Sequence, residues 1–186
     1  MLKFAFIINV PGASPETYSA VYENAESHST IAGVDGLEAG KEYAKKLAAE
    51  GVTIINLCGD FDDEITEQIK DEVGEGVKVR HADYAIDELA KLNQLQSMKY
   101  YGIIVQIAGV EDPHTLVLED DECVATVVFV KDMEQAKAAA KDLVKRNNDF
   151  MELCSWFDRL KMEEIAVAID GAVPVGTCGV LDTAEL

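Results

Sequence analysis

Long apolar runs are missing from this chain of 186 residues. No segment approaches the roughly 18 to 20 unbroken apolar residues that a membrane-spanning helix needs. The opening MLKFAFIINVPG carries one lysine and an apolar stretch that superficially resembles a signal peptide, but it runs into Asn9 and has no small-residue cleavage site. It reads as a buried first strand, and the expected compartment is the cytoplasm. Basic residues are scarce: 16 Lys and Arg face 35 Asp and Glu, a net charge of −19. Such a surface repels phosphate backbones and anionic membranes, which excludes nucleic acid and membrane partners. Solubility in a salty medium explains the charge; cation binding is the other reading. The four cysteines Cys58, Cys123, Cys154 and Cys178 form no C-x-x-C pair, so reduced thiols are expected rather than a disulfide framework. Walker, G-x-G-x-x-G and G-x-S-x-G loops are absent, as is any metal-ligand spacing, so no metal is expected and no cofactor is indicated.

What the chain does contain is itself, twice. Sliding residues 3–84 onto 99–180, an offset of 96, brings roughly twenty identities together, far beyond chance. Lys3, Ile7 and Ile8 fall on Lys99, Ile103 and Ile104; Lys41, Ala44 and Leu47 on Lys137, Ala140 and Leu143; Leu57, Cys58 and Phe61 on Leu153, Cys154 and Phe157.

Each copy has one rhythm. KFAFIINV and KYYGIIVQI are near-continuous apolar runs, as in strands buried on both faces. A short helix is expected next, because Ser14–Pro15 and Asp112–Pro113 each supply a capping oxygen followed by proline. STIAGV and ATVVFV read as second strands. The helices LEAGKEYAKKLAAEG and MEQAKAAAKDLVKRN end on Gly51 and on Asn147, the next best residue for a helix stop. VTIINLC and DFMELC are third strands, followed by helical stripes built on Phe61, Ile65, Ile69 and Val73 and on Phe157, Leu160, Ile165 and Ile169. VKVRHA and VPVGTC are fourth strands, and Pro174 assigns the latter to an edge. Residues 85–98 read as a helix joining the copies, without a counterpart after LDTAEL at 181–186.

The expected fold class is therefore α/β: two tandem β-α-β-α-β-α-β repeats with mainly parallel open sheets, flavodoxin-like halves related by a pseudo-twofold axis. A closed barrel is disfavoured by chain length and by Pro174. The organisation predicted is a first repeat at 1–84, a connecting helix at 85–98 and a divergent second repeat at 99–186.

Ligands of open parallel sheets bind beyond the strand carboxyl ends, where neighbouring crossovers diverge. That rule selects the loops 10–14 and 58–63, and within them Pro11, Gly12, Cys58, Gly59 and Asp60 as the ligand-binding candidates. Asp60, Asp62, Asp63 and Glu64 cap the following helix and would repel an anion; their spacing is not that of a calcium loop. Cys58 has three open readings: a buried structural thiol, a ligand contact, or a nucleophile with His81 as its base. In the second copy Thr177 replaces His81, so the dyad is not duplicated. His28 and His114 read as solvated, and Trp156, at the place of Asp60, as a plug closing the second mouth.

The motifs FIINVPGASPE and IINLCGDF resemble an uncharacterised prokaryotic family of short α/β proteins of unknown function, in which one strand runs into P-G-A-D-P and a later one into L-C-G-G-F-G. Pro11, Gly12, Ala13, Pro15, Leu57, Cys58, Gly59 and Phe61 match; Ser14, Asp60 and Asp62 depart, which weakens any anion pocket. The second copy keeps Gly109, Pro113, Leu153, Cys154 and Phe157 and loses the glycine after cysteine. The resemblance implies a fold and a location but no reaction. The expected function is small-molecule binding or an unassigned enzyme activity in the first copy, for a small polar or cationic molecule. The alternative is a non-catalytic interaction module in which the repeats mimic a homodimer, the chain itself being a monomer or homo-oligomer.

Overall fold

The computed structural model describes residues 1–182, so the last four residues of the LDTAEL segment lie outside the described ones. The chain forms two compact units, Met1–His81 and Ala82 onward. The boundary thus falls ahead of the segment read from the sequence as a connector.

In the first unit β1 (Leu2–Asn9), β2 (Ser19–Glu23), β3 (Ser27–Val34), β4 (Ile54–Leu57) and β5 (Lys78–His81) make one five-stranded sheet of order β2-β3-β1-β4-β5. All neighbours are parallel except β2, which runs antiparallel to β3. Counting parallel strands alone, the order is 2-1-3-4, the opening of the flavodoxin arrangement. Helices α1 (Leu37–Ala49) and α2 (Asp63–Val73) carry successive crossovers in the same direction, and right-handedness puts them on one face. They pack on each other, with Lys45 Nζ 2.9 Å from Glu72 Oε2.

The second unit repeats the plan. α3 (Ile86–Leu92) precedes β6 (Tyr100–Gln106), β7 (His114–Glu119), β8 (Val124–Val130), α4 (Met133–Lys145), β9 (Phe150–Leu153), α5 (Arg159–Ala168) and β10 (Val175–Thr177). The sheet order is β10-β9-β6-β8-β7, with β7 the antiparallel strand. The class is α/β with mainly parallel sheets in two tandem halves, as the sequence pattern requires. Gly51 and Asn147 stop α1 and α4 with left-handed φ of 91° and 62°. Asp62 caps α2 by accepting from the Ile65 amide at 2.9 Å.

Three local expectations are corrected. The short helix after the first strand is absent from both units. Ser14 accepts from Thr17 and Tyr18 in a single turn, after which the chain enters β2; in the second unit Pro113 leads directly into β7. Pairing with β3 or β8 gives Ser19–Glu23 and His114–Glu119 a ladder, which outweighs the local capping signal. The connecting helix spans only Ile86–Leu92 instead of the whole of 85–98.

Finally, the copies are not aligned without a gap. Ile7 lies between Leu57 and Ala32, and Ile104, not Ile103, lies between Leu153 and Val128. The first strands therefore correspond with an offset of 97 (7 to 104), the later strands with 96 (57 to 153), and the intervening loop is one residue shorter in the second copy. A one-residue slip reverses the face of every side chain, so only the structure assigns the true equivalents. Among the described residues no helix is long and apolar enough to cross a membrane.

Candidate functional site

At the carboxyl edge of the first sheet, β1 ends in Asn9, a residue that the motif pattern does not single out. Its amide donates to Cys58 Sγ at 3.3 Å, its Nδ2 donates to Asp60 Oδ2 at 3.1 Å, and its Oδ1 accepts from the Gly36 amide at 2.9 Å. One side chain thus ties the ends of β1, β3 and β4. It joins the end of β1, just before loop 10–14, to Asp60 in loop 58–63.

Cys58 is buried, while Pro11, Gly12, Gly59 and Asp60 are exposed. Gly12 has φ 76°, the left-handed turn a glycine serves. His81 pairs with Leu57 across β4, so its side chain shares the face of Leu57, and Cys58, next in the chain, has the opposite parity. The His81 ring meets Thr66 Oγ1 at 2.9 Å through Nδ1 and lies 3.5 Å from Asp63 Oδ1 through Nε2, both on α2. Cys58 thus accepts from β1 through Asn9, and the His81 ring meets α2.

An open cleft of about 310 Å³ lies on the other side of the 10–18 loop. Ala13 to Glu16 form one wall, Val34 and Asp35 the floor at the end of β3, and Ala39, Glu42, Tyr43 and Lys46 of α1 the other wall. Of the residues expected to bind, none lines it; it shares only their loop. The Tyr43 ring is half-buried and forms part of the wall.

Burial, followed by the nearby Glu50 and Glu16 carboxylates, pushes the Tyr43 hydroxyl above its usual range. The Glu16 carboxyl is lowered, first by its own backbone N–H, then by the Ser14 hydroxyl, with a smaller contribution from Lys46. Glu16, Asp35, Glu42 and Lys46 are thus the charged residues lining the cleft around the Tyr43 ring, with Glu42 paired to Lys45 Nζ at 3.3 Å.

The second unit differs at this place. Gln135 occupies the position of Ala39, and its amide donates to Glu111 O at 2.9 Å while its Oε1 accepts from the Lys131 amide at 2.9 Å, bridging loop and helix. Ala139 stands where Tyr43 does. Trp156 is not the plug: it is 37% exposed, sits edge-on to Phe157 at 5.0 Å, and has Lys161 Nζ 4.9 Å from its ring. His28 lies on the opposite edge, 2.6 Å from Glu23, and His114 opens β7 in solvent.

All four cysteines are free thiols and buried. Burial pushes the Cys154 thiol up to about 11, so at pH 8 only about one molecule in a thousand is thiolate. Native protein at pH 8 should react with a disulfide reagent at Cys154 at least about 100-fold more slowly than unfolded protein. Mass-spectrometric mapping of the labelled peptides reads this directly; rapid native labelling of Cys154 would contradict the buried geometry.

Comparison with known proteins places the chain. No curated protein matches it. Among solved structures it is similar to unliganded arylmalonate decarboxylase, at 12% identity over 96% of this chain and 88% of that one, with a TM-score of 0.29. A family of unknown function, DUF6506, matches residues 2–97 and again 98–185. The repeat read from the sequence is thus one family unit present twice, and the chain belongs to that family.

Proposed function

We propose that the first unit binds a small cationic or hydroxylated molecule in the cleft between the 10–18 loop and α1. The carrying observation is the lining: Glu16 and Asp35, with Glu42 already paired to Lys45, against Lys46, beside the Tyr43 ring. The volume suits a small molecule, and an excess of carboxylates at a concave surface favours an ammonium over a phosphate. Tyr43 offers an aromatic face for the same cation.

In this reading Pro11 and Gly12 shape the outer turn of the loop, and Cys58, Gly59 and Asp60 act as positioning residues. Cys58 and Asp60 bond Asn9, which holds the loop at its distance from α1. The second unit, bridged by Gln135, does not bind. The reduced thiols and acidic surface accord with a cytoplasmic setting and with neither nucleic acid nor membrane as partner.

Choline, ethanolamine and glucosamine, screened by thermal shift, should include at least one that raises Tm saturably. Ala39→Gln, which copies the second unit, should abolish the shift without lowering the Tm of the free protein, and Tyr43→Ala should weaken binding about tenfold. No shift with any probe, or a shift that survives Ala39→Gln, would overturn the proposal.

The alternative, a non-catalytic interaction module, is favoured by one feature. Leu160 and Val167 on α5 are 62% and 75% exposed and flank an open groove against α4. Retained ligand response in a Leu160→Ser, Val167→Ser variant would separate that surface from the cleft.

A further inference from the structure

Residues 82–97 belong to the first copy by family match and to the second unit by packing. The contacts are specific. Asp83 and Thr177 exchange amide-to-carbonyl hydrogen bonds of 2.9 Å each, an antiparallel bridge on the outer edge of β10. The Tyr84 hydroxyl donates to Glu152 Oε1 at 2.7 Å, while the other oxygen of Glu152 accepts from Tyr101. Glu88 on α3 accepts from the Val175 amide at 2.7 Å through Oε2 and from Lys91 Nζ at 2.6 Å through Oε1. Glu88 and Glu152 are only 4% and 2% exposed.

Three of the receiving residues are ones in which the second copy departs from the first. Glu152 stands where the first sheet has Asn56, Gly176 where it has Arg80, and Tyr101, by the corrected strand register, where it has Phe4. Each change serves the arm. Glu152 supplies the acceptor and Tyr101 the second donor that a buried carboxylate requires. Gly176 makes room, since a Cβ there would come within 2.6 Å of the Tyr84 ring.

We infer that residues 82–92 are an exchanged arm: a segment of the first repeat that docks on a surface specific to the second repeat, closing the β10 edge and burying Glu152, and that opens as a unit separate from the rest of that sheet. Its hold is polar and terminal in the sheet. An edge segment fastened by a few hydrogen bonds opens at lower free energy than the central strands β6 and β8. The surface selects for an acceptor-bearing helix, Glu88, placed one turn after a tyrosine, so its partner is this arm and not an arbitrary strand.

Hydrogen exchange on the full-length chain tests the inference. In the unmodified protein the amides of Asp83 and of Leu89 should be protected, but less than those of β6. Tyr84→Phe and, independently, Glu88→Gln should speed exchange about tenfold in 83–92 and in Val175–Thr177 together, leaving α4 and β6 unchanged. Arg at the first sheet's equivalent position gives the third variant: Gly176→Arg should release the arm with the same restricted pattern. Exchange of the arm at unprotected rates in the unmodified protein would overturn docking. Acceleration spread equally over α4 and β6, or absent in both Tyr84→Phe and Glu88→Gln, would overturn the separate, specifically held arm.

Discussion

Phe61→Ala is expected to destabilise the first unit by about 3–5 kcal/mol. The ring is 1% exposed, and it rests so closely on α1 that a Cβ on Gly40 would lie 2.5 Å from two ring atoms. Its backbone N–H donates to Cys58 O, and the next residue, Asp62, caps α2, so the ring fixes where α2 starts as well as what it packs on. Deleting it leaves a cavity between two helices already pinned by their own strands, and such a site cannot collapse freely. The second unit supplies the control, because Ala136 stands where Gly40 does, opposite Phe157. There the ring already accommodates a methyl group. Gly40→Ala in the first unit should cost about 1–3 kcal/mol, and combining it with Phe61→Leu should recover part of that loss, since the two side chains share one space. Urea unfolding with amide exchange in β1 and β4 reads the effect. A loss below about 1 kcal/mol for Phe61→Ala would mean that the ring does not organise this face.

Gly179→Ala should cost the second unit more than about 4 kcal/mol, for a different reason. An added Cβ would lie 1.8 Å from the Phe157 carbonyl oxygen and 2.5 Å from its carbon. That obstacle is backbone, which has no rotamer to change. The same carbonyl accepts from Thr177 Oγ1 at 2.6 Å, that hydroxyl accepts from the Gly179 amide at 3.0 Å, and Val180 O accepts from the Arg159 amide at 2.9 Å. Moving Gly179 outward breaks this chain, each buried bond being worth about 1 kcal/mol and more when a partner is left unsatisfied. Gly171→Ala is the contrast. Its φ of 65° and a lysine ammonium 3.3 Å away, which can swing aside, predict only about 1–2 kcal/mol. Equal destabilisation by the two substitutions would refute the steric account.

Both predictions grow from the phrase the copies share, leucine and cysteine followed by phenylalanine three residues later. The sequence identifies the phrase as packing common to two units, and the structure agrees: both cysteines accept from the amide that ends the first strand, and both phenylalanines are buried. What the phrase does not disclose is Asn9, the residue that links Cys58, Asp60 and Gly36. Nothing in a strand-terminal asparagine distinguishes a solvated amide from one that crosslinks three loops.

The duplication, the alternation of strands and helices, the helix stops at Gly51 and Asn147 and the edge position of β10 were determined by the sequence alone. Each depends on chemistry within a few residues: apolar period, capping oxygen, left-handed φ, a missing N–H. Tertiary structure alone decided the rest. Ser19–Glu23 became an antiparallel strand because β3 offered them a ladder. The register of β6 moved by one residue because Leu153 and Val128 fixed Ile104 between them. The cleft beside Tyr43 is bounded by the 10–18 loop and α1, and Ala39 is too small to bridge it as Gln135 does in the second unit. The arm at 82–92 joined the second unit because only that sheet carries a buried carboxylate and a glycine to receive it. These outcomes depend on partners distant in sequence, whose hydrogen bonds and volumes outweigh local preference, so they became visible only when the chain was folded.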